Sequence, residues 1–309
     1  MAVGLIRCPR CGNENRADSF QCSFCGKRLR IEKIEKFQFF RRIEEEWVSP
    51  APWYKKIYWL FLDPARAFHD INHERSKAPG YLILLFNTVL WGLMGLAVMA
   101  HIQFVSINGK PVSPYSISLI PYGLIMFLTF LIIGFIFQLI FYHVLIWLFS
   151  LGANYAVGFS KILEDRFGKE KEEKYKESEM SPFSIYKSGT LMQRQAAYKY
   201  KMLMCAFAPL LLINTIKILI ILIALPTVRV DISSGNFNDS ILTKIFSSPT
   251  WAVLDVIDAL TMAIWIPILM TFAIRELSNS STFRVLISSF IIGTAVAIFF
   301  FFLRPTLFG

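Results

Sequence analysis

The polarity of the chain changes near residue 80, where long apolar runs replace a mixed polar sequence. Five runs stand out by length: residues 81–103, 119–150, 202–225, 251–274 and 285–303. A helix rises about 1.5 Å per residue, so each run is long enough to cross the roughly 30 Å hydrocarbon core of a bilayer. The pattern predicts an all-α polytopic membrane protein whose five transmembrane helices lie in residues 80–309.

Two shorter segments precede these runs. Residues 31–51 alternate charged side chains with Ile and Phe, which is typical of a charged linker or a solvated helix. Residues 52–79 are rich in aromatic side chains, and four large apolar residues recur there at helical spacing: Trp53, Ile57, Leu60 and Phe61. Lys55 and Lys56 are predicted on the opposite side. Such a composition suits the headgroup layer, so we predict amphipathic interfacial helices in this segment.

The second interfacial helix has clear boundary signals. Asp63 followed by Pro64 is typical of an N-cap and the first helical position, and we expect the helix to continue to about Glu74. The sequence APG at residues 78–80 then breaks the helix before the first span.

Lysine and arginine are unevenly distributed among the connections, and this predicts the topology. Residues 1–80 carry 15 of them, the loop 152–201 carries ten, and the turn 275–284 carries two. The loops 104–118 and 226–250 and the C-terminal tail carry one, two and one. A cytoplasmic N-terminus places 27 of these charges inside and 4 outside. We therefore predict a multi-pass protein of the cell membrane with an extracytoplasmic C-terminus.

Overall composition adds one constraint. The 309 residues are 55% hydrophobic with a mean hydropathy of +0.49, yet the formal net charge is +10. A basic balance can indicate a nucleic-acid partner. Because the cations concentrate in the predicted cytoplasmic segments, we interpret them mainly as a topology signal, with attraction to anionic lipid headgroups as a second effect.

Four of the five cysteines form one motif in residues 1–30, with the spacing C-x2-C-x10-C-x2-C: Cys8, Cys11, Cys22 and Cys25. Two residues between cysteines allow one tight turn to present two thiolates to a single ion. Four thiolates complete a tetrahedral shell, which predicts one structural Zn²⁺ in a short zinc ribbon and leaves no open position for catalysis. An iron site of the same geometry is the alternative. A reducing cytoplasm argues against disulfides.

Several charged residues lie inside the predicted spans. Lys217 lies about eight residues before the outer end of the third span, while Asp255 and Asp258 follow the outer start of the fourth. These depths agree within roughly one helical turn, so we predict a Lys217–Asp258 ion pair that offsets the cost of burying either charge. Pro209 and Pro267 are predicted to kink the third and fourth spans.

Other candidate residues are weaker. His69, Asp70 and His73 share a helix face and could hold a second metal, although polar surface is the simpler interpretation. Gln138 and His143 fall within the second span, where we expect bundle-facing polar contacts.

Cys205, in an apolar run, is interpreted as a packing residue. The charged loop 152–201 is either a solvated excursion or a partner-binding segment. No catalytic motif is present, so we do not expect an enzyme.

Three stretches resemble the Yip1-domain family of membrane proteins. FLDPARAFHDINHERSKAPGYLILLF, at residues 61–86, resembles the entrance to that domain's first span. HVLIWLFSLGANYAVGFSK, at 143–161, resembles the inner end of its second span, and AAYKYKMLMCAFAPLLLI, at 196–213, resembles the entry to its third. The resemblance covers residues 58–303 and implies a five-span helical domain with a cytoplasmic N-terminus.

In eukaryotes, members of that family act in vesicle traffic between the endoplasmic reticulum and the Golgi and associate with prenylated Rab-type GTPases. This chain lacks the acidic-Leu-Tyr-Gly-Pro segment of those members and carries a zinc ribbon in place of their disordered head. Such ribbon heads look like the prokaryotic branch, so the resemblance does not extend to Rab binding.

The sequence therefore favours a membrane adaptor or scaffold whose ribbon head and 152–201 loop bind protein partners at the cytoplasmic face, as a homo-oligomer or hetero-oligomer. One alternative is a small transporter or channel that uses Lys217, Asp255 and Asp258. A third, less favoured, is a membrane-tethered nucleic-acid binder that uses the basic residues of the head: Arg7, Arg10, Arg16, Lys27, Arg28 and Arg30.

Overall fold

The computed structural model describes residues 5–17, 19–22, 24–44, 49–105, 120–159, 162, 197–231 and 248–308. Within these residues the protein is mainly helical, and five helical segments are long and apolar enough to cross a membrane. They are Arg75–Met99, Ile120–Val157, Ala197–Ala224, Pro249–Ser278 and Thr282–Phe302. The prediction of a five-span, all-α membrane protein is confirmed.

The segment before the spans contains small elements. Strands β1 (Leu5–Arg7) and β2 (Glu14–Arg16) pair antiparallel, with Ile6 opposite Asn15. Two short 3₁₀ turns follow at Lys33–Lys36 and Gln38–Phe40. They lie in the segment predicted as a charged linker or solvated helix.

Two helices come next, in the segment predicted to hold interfacial helices: α1 (Trp53–Leu62) and α2 (Pro64–His73), followed by a 3₁₀ turn at Arg75–Lys77. The predicted cap is confirmed, because the Asp63 side chain accepts a hydrogen bond from the Arg66 backbone N–H at 3.2 Å.

The face of α1 differs from the prediction. Lys56, which the spacing placed on the solvated side, is fully buried together with Leu60. Its ammonium lies 3.2 Å from the Asp70 carboxylate on α2, which supplies the compensating charge. The exposed side chains of α1 include large apolar and aromatic residues: Trp53, Tyr54, Tyr58 and Leu62. Exposed aromatic side chains with the neighbouring Lys55 retain the composition of an interfacial helix.

The remaining helices make up the five spans. They are α3 (Gly80–Met99), α4 (Ile120–Val157), α5 (197–204), α6 (Pro209–Ala224), α7 (Pro249–Leu260), α8 (Ile266–Ser278) and α9 (Thr282–Phe308). At 38 residues α4 is about 57 Å long, well beyond the thickness of a hydrocarbon core. It continues past residue 150, where the predicted span ended.

The third and fourth spans are interrupted beside the two prolines that the sequence marked. A 3₁₀ turn at Cys205–Phe207 separates α5 from α6, which begins at Pro209. A π-helical turn at Thr261–Trp265 separates α7 from α8, with Pro267 as the second residue of α8. A proline lacks the backbone N–H that continues a helix, so the irregular turns are local responses to these residues.

The chain divides into two compact units. The head unit contains Met1–Tyr81, Val144–Ala208 and Ile266–Gly293, and the span unit contains Leu82–His143, Pro209–Trp265 and Thr294–Gly309.

In the head unit, α2 packs on α8, and α8 packs on the turn Cys205–Phe207. Phe68, Phe207 and Phe272 are fully buried there. Gly80 approaches the backbone of Lys201 so closely that a Cβ at position 80 would lie 2.2 Å from the Lys201 carbonyl oxygen.

The span unit has its own core and its own small sheet. Met94, Ala97 and Val98 of α3 pack with Ile221 and Leu254. Strand β3 (Ile102–Val105) pairs in parallel with β4 (Val228–Asp231). The first span was predicted to continue to residue 103, but α3 ends at Met99 and the chain enters β3, because pairing with β4 satisfies its backbone groups outside the helix.

Candidate metal centre and its docking site

The four motif cysteines lie together. The sulfur of Cys8 is 3.6 Å from that of Cys25, and the sulfur of Cys11 is 3.6 Å from that of Cys22. All four ligand atoms lie within 4.8 Å of one another. These separations are too long for disulfides, whose sulfurs lie about 2.05 Å apart. In the described part of the chain, this is the only group of three or more His, Cys, Asp or Glu side chains placed to share one ion.

Two matching turns produce this arrangement. The backbone N–H of Gly12 donates to the Cys8 carbonyl at 2.9 Å, and that of Gly26 donates to the Cys22 carbonyl at 3.1 Å. Both glycines have positive φ, at +76° and +67°. A side chain would strain the backbone in this region, so glycine after each cysteine pair allows the chain to turn beneath the sulfurs.

The residues fit a tetrahedral metal. Four thiolates at the usual zinc–sulfur length of about 2.3 Å would lie roughly 3.8 Å apart, close to the observed 3.6 Å. The Asn15 side-chain amide lies 3.5 Å from the Cys22 sulfur, where it can donate to a thiolate. Cysteines 8, 11, 22 and 25 can therefore hold one metal ion.

The ribbon that carries the four cysteines contacts the turn between the last two spans, at residues 279–281. The backbone N–H of Gln21, next to Cys22, donates to Oδ1 of Asn279 at 2.9 Å, and Nδ2 of Asn279 donates to the Gln21 carbonyl at 2.6 Å. The Asn279 amide thus pairs with Gln21 as a second peptide group would. Asn279 has a φ of +51°, and asparagine is one of the few residues other than glycine that adopts this conformation readily.

A buried ionic network reinforces this contact. Nε of Arg42 donates to Oε1 of Glu35 at 2.7 Å, and both side chains are fully buried. The same carboxylate oxygen accepts from the Thr282 hydroxyl at 2.7 Å. Arg42 also donates to Oδ1 of Asn279 at 3.3 Å and to the Ser280 carbonyl. One ion pair of the head therefore has partners at three positions of the inter-span turn.

The charge state of Glu35 follows from these partners. Its burial raises the pKa, since a buried carboxylate loses hydration. The positive charge of Arg42, with the hydrogen bonds from Arg42 and Thr282, outweighs burial and holds the pKa of Glu35 below its ordinary value of 4.5. Glu35 is therefore an anion at neutral pH, and its full negative charge faces the guanidinium group of Arg42.

Apolar and cationic contacts extend the docking site. Arg275 of α8 is fully buried, and its Nη1 donates to the Phe40 carbonyl at 2.6 Å. The ring of Phe272 stacks on that of Phe40 at a centroid separation of 5.6 Å and meets Phe39 edge-on at 5.4 Å. The segment after the ribbon is therefore held to α8 by both its backbone and its side chains.

The predicted ion pair between the third and fourth spans is confirmed as a contact. Nζ of Lys217 on α6 lies 2.7 Å from Oδ2 of Asp258 on α7. The Lys217 side chain is 9% exposed and that of Asp258 is 40% exposed. Asp255, on the same helix, is half-buried.

The remaining candidates have other roles. Oδ2 of Asp70 pairs with Lys56, and His73 contacts the His69 carbonyl, so these residues do not assemble a second metal site within the described residues. Cys205 is fully buried, in agreement with a packing role. His143 is exposed and contacts the Leu139 carbonyl. Gln138 is buried, and its amide has no hydrogen-bond partner among the described residues.

Part of the basic surface of the head is neutralised. Arg7 pairs with Glu14 at 3.5 Å, and Lys27 and Arg28 lie 3.6 and 3.2 Å from Glu44. Arg10 and Arg30 are exposed. The Arg16 side chain and most of the loop 152–201 lie outside the described residues. Because three basic side chains of the head pair with carboxylates, fewer positive charges remain available for nucleic acid than the sequence indicated.

Sequence reasoning missed the docking residues. Glu35, Arg42 and Asn279 carry no motif, and the charged segment 31–51 was interpreted as solvated. A polar network inside the span unit was missed as well: Asn87 donates to the Tyr142 hydroxyl at 3.1 Å and accepts from Asn214 at 3.0 Å. The one available signal was that Asn87 and Asn214 are amides within apolar runs, where polar side chains face protein.

Comparison with known proteins does not extend these observations. No family model, curated protein or solved structure matches the chain.

Proposed function

We propose that this protein is a membrane adaptor whose metal-bound head presents a fixed binding surface to a protein partner at the cytoplasmic face. The observation that carries the proposal is the clamp between Gln21 and Asn279, beside the metal-binding cysteines. A head that served only as a folded end would not need a buried ionic network to hold it against the inter-span turn.

Exposed apolar side chains of the head support the same function. Phe24 lies between Cys22 and Cys25 at the tip of the second turn and is 77% exposed. Leu5, Ile31 and Phe37 are each more than 60% exposed. Exposed aromatic and aliphatic side chains on a rigid surface are typical anchors for a protein partner. The loop 152–201 is proposed as a second contact.

Zinc is the proposed metal. Four thiolates and tetrahedral spacing favour Zn²⁺ over harder ions, and closed tetrathiolate sites are structural. The segment between the cysteine pairs buries little apolar surface, so metal binding would supply its folding energy. Elemental analysis of the purified protein should find one zinc per chain. The variant Cys11→Ser/Cys25→Ser should lose it.

The orientation and the family remain part of the proposal. The lysine and arginine count supports a cytoplasmic head in the cell membrane. The three Yip1-like stretches support a prokaryotic Yip1-type membrane domain. Cysteine-accessibility labelling at positions 113 and 175 tests the topology, and labelling of both positions from the same side would contradict it.

Photo-crosslinking in native membranes tests the adaptor function. A photoreactive residue at position 24 should trap a discrete partner. The same photoreactive residue at position 122, where Tyr122 of the span unit is also exposed, should not trap it. Phe24→Ser should abolish co-purification of that partner, and Tyr122→Ser should retain it. Equal recovery from both variants would contradict a partner site on the head.

A transport function is the second candidate, favoured by one observation. The Lys217–Asp258 ion pair lies directly before the π-helical turn at Thr261–Trp265, and such turns often occur at functional sites. Proteoliposomes with an internal pH indicator would test it. Transport predicts proton or cation flux that Lys217→Leu/Asp258→Leu removes, whereas an adaptor predicts no flux in either protein.

A further inference from the structure

A cavity of about 240 Å³ lies in the head unit beside the docking site. Arg30 and Arg284 line it, together with Glu32 and several serines, including Ser19, Ser280 and Ser281. At roughly 30 Å³ for each water molecule, the cavity has room for about eight waters, or for one phosphate group with part of a headgroup.

The cavity lies at the level where two membrane spans end. Val157, the last residue of α4, lines it, and Arg284 is in the first turn of α9. Phe283 and Ile287, close by on α9, are 53% and 45% exposed. Outward-facing apolar side chains beside polar cavity walls are typical of the boundary between hydrocarbon and headgroups. A ligand carried by a lipid could therefore enter from the bilayer.

The charged side chains that line the cavity are two arginines and one glutamate, so the cavity carries a net positive charge. Glu32 is already engaged, because one of its oxygens accepts from the Ser281 hydroxyl and the other accepts from the Phe283 backbone N–H at 3.1 Å. Neither Arg30 nor Arg284 forms an ion pair within the described residues, and both are exposed. Two guanidinium groups thus line one cavity, and neither forms an ion pair with Glu32 or with another described carboxylate. Guanidinium forks match the oxygens of a phosphate group.

We infer that this cavity binds the phosphate group of an anionic membrane lipid through Arg30 and Arg284. One arginine comes from the end of the ribbon and the other from the fifth span, so a bound headgroup would join the two segments at the membrane surface. Basic pockets between helices at the cytoplasmic side are known sites for anionic headgroups. The inference does not depend on the proposed adaptor function.

Native mass spectrometry of the full-length protein in detergent tests the site. Phosphatidylglycerol should bind about tenfold more weakly to Arg30→Gln and to Arg284→Gln than to the wild type, the loss expected when one charge-assisted hydrogen bond is removed. Phosphatidylcholine, which has a phosphate but no net charge, should bind all three proteins alike. Arg284→Lys should bind less than the wild type, because it keeps the charge and loses the fork.

The matched control is Arg7→Gln, which removes the same charge from a side chain that is 80% exposed and outside the cavity. Equal weakening in this control would overturn the inference in favour of general electrostatic attraction.

A competition experiment with inorganic phosphate distinguishes a lipid headgroup from a soluble phosphate as the ligand. Displacement of the lipid by millimolar phosphate would assign the site to a soluble phosphate, whereas retention of the lipid supports the membrane source. Variants that unfold are identified by a lower Tm in phosphatidylcholine. If the glutamine variants unfold, phosphatidylglycerol binding by Arg284→Lys tests the site in their place.

Discussion

Two ion pairs of this protein, one fully buried and one partly exposed, are built differently. In the head unit, Arg42 and Glu35 are both fully buried, and Thr282 and Ser280 satisfy further atoms of the pair. In the span unit, Lys217 meets Asp258 at 2.7 Å, and the Asp258 side chain stays 40% exposed. The first pair is a network with several geometric requirements, whereas the second is a contact between two opposite charges.

The difference indicates different roles. A simple pair neutralises charge at depth, and two apolar residues of similar size can replace it with little loss. A network that joins distant segments also specifies which surfaces meet, because every donor and acceptor must be aligned. We therefore expect the head pair to determine where the ribbon docks, and the span pair to make two helices compatible with the bilayer.

The largest expected effect comes from breaking the head pair on one side. Arg42→Met leaves the Glu35 carboxylate buried without its cation, which typically costs about 3–5 kcal/mol. A marked drop in Tm of the purified protein should follow. Lys27→Met, which removes a cation from an exposed pair with Glu44, is the control and should cost no more than about 1 kcal/mol. Equal drops in both variants would show that the network adds nothing to the head unit.

The span pair should behave differently in a double-mutant cycle. Lys217→Leu and Asp258→Leu should each lower Tm by an amount equivalent to at most about 3 kcal/mol, toward the lower end for a broken pair because Asp258 is partly exposed. The double variant should recover much of that loss, since no uncompensated charge remains. Additive losses would mean that the two side chains do not stabilise each other.

Substitutions at Asn279 separate the contribution of its hydrogen bonds from that of its backbone conformation. Asn279→Gly keeps the φ of +51° accessible but loses both hydrogen bonds to Gln21, so we expect a cost of about 1–3 kcal/mol. Asn279→Ala should cost somewhat more, because alanine adopts this φ less readily. Thermal unfolding of both variants gives the order. A neutral Asn279→Gly would indicate that the clamp does not contribute to stability.

The stability of the head unit should also depend on pH through Glu35, with a smaller effect than the substitutions above. The pKa of Glu35 is lower in the folded protein than the ordinary 4.5, so its contribution is fully present above that value and is lost as the pH falls through the lowered pKa. Stability measured across this acidic range should therefore fall less steeply for Glu35→Gln than for the wild type. Identical slopes would show that Glu35 does not titrate differently on folding.

One of these two ion pairs could be predicted from the sequence, and the other could not. The span pair was predictable because a helix has a fixed rise and unpaired charges in hydrocarbon are costly, so Lys217 and Asp258 at similar depths imply a contact. The cluster of four cysteines was predictable because the cysteine spacing and the two following glycines specify one geometry.

The head network was not predictable, since its partners lie more than 230 residues apart and charged residues usually indicate solvent. Burial of Lys56 was missed because its partner Asp70, although near in sequence, lies on a different helix. Helical spacing places it on a face, but the matching carboxylate belongs to another helix.

We expect metal binding at the four cysteines to hold the ribbon against the turn between the last two spans. Hydrogen exchange of the full-length protein, with metal bound and after chelation, tests it at residues 276–284, with residues 87–99 of the span unit as an internal reference. The account predicts that chelation speeds exchange both in residues 5–29 and in the turn, while the reference is unchanged. Faster exchange in residues 5–29 with an unchanged turn would contradict it.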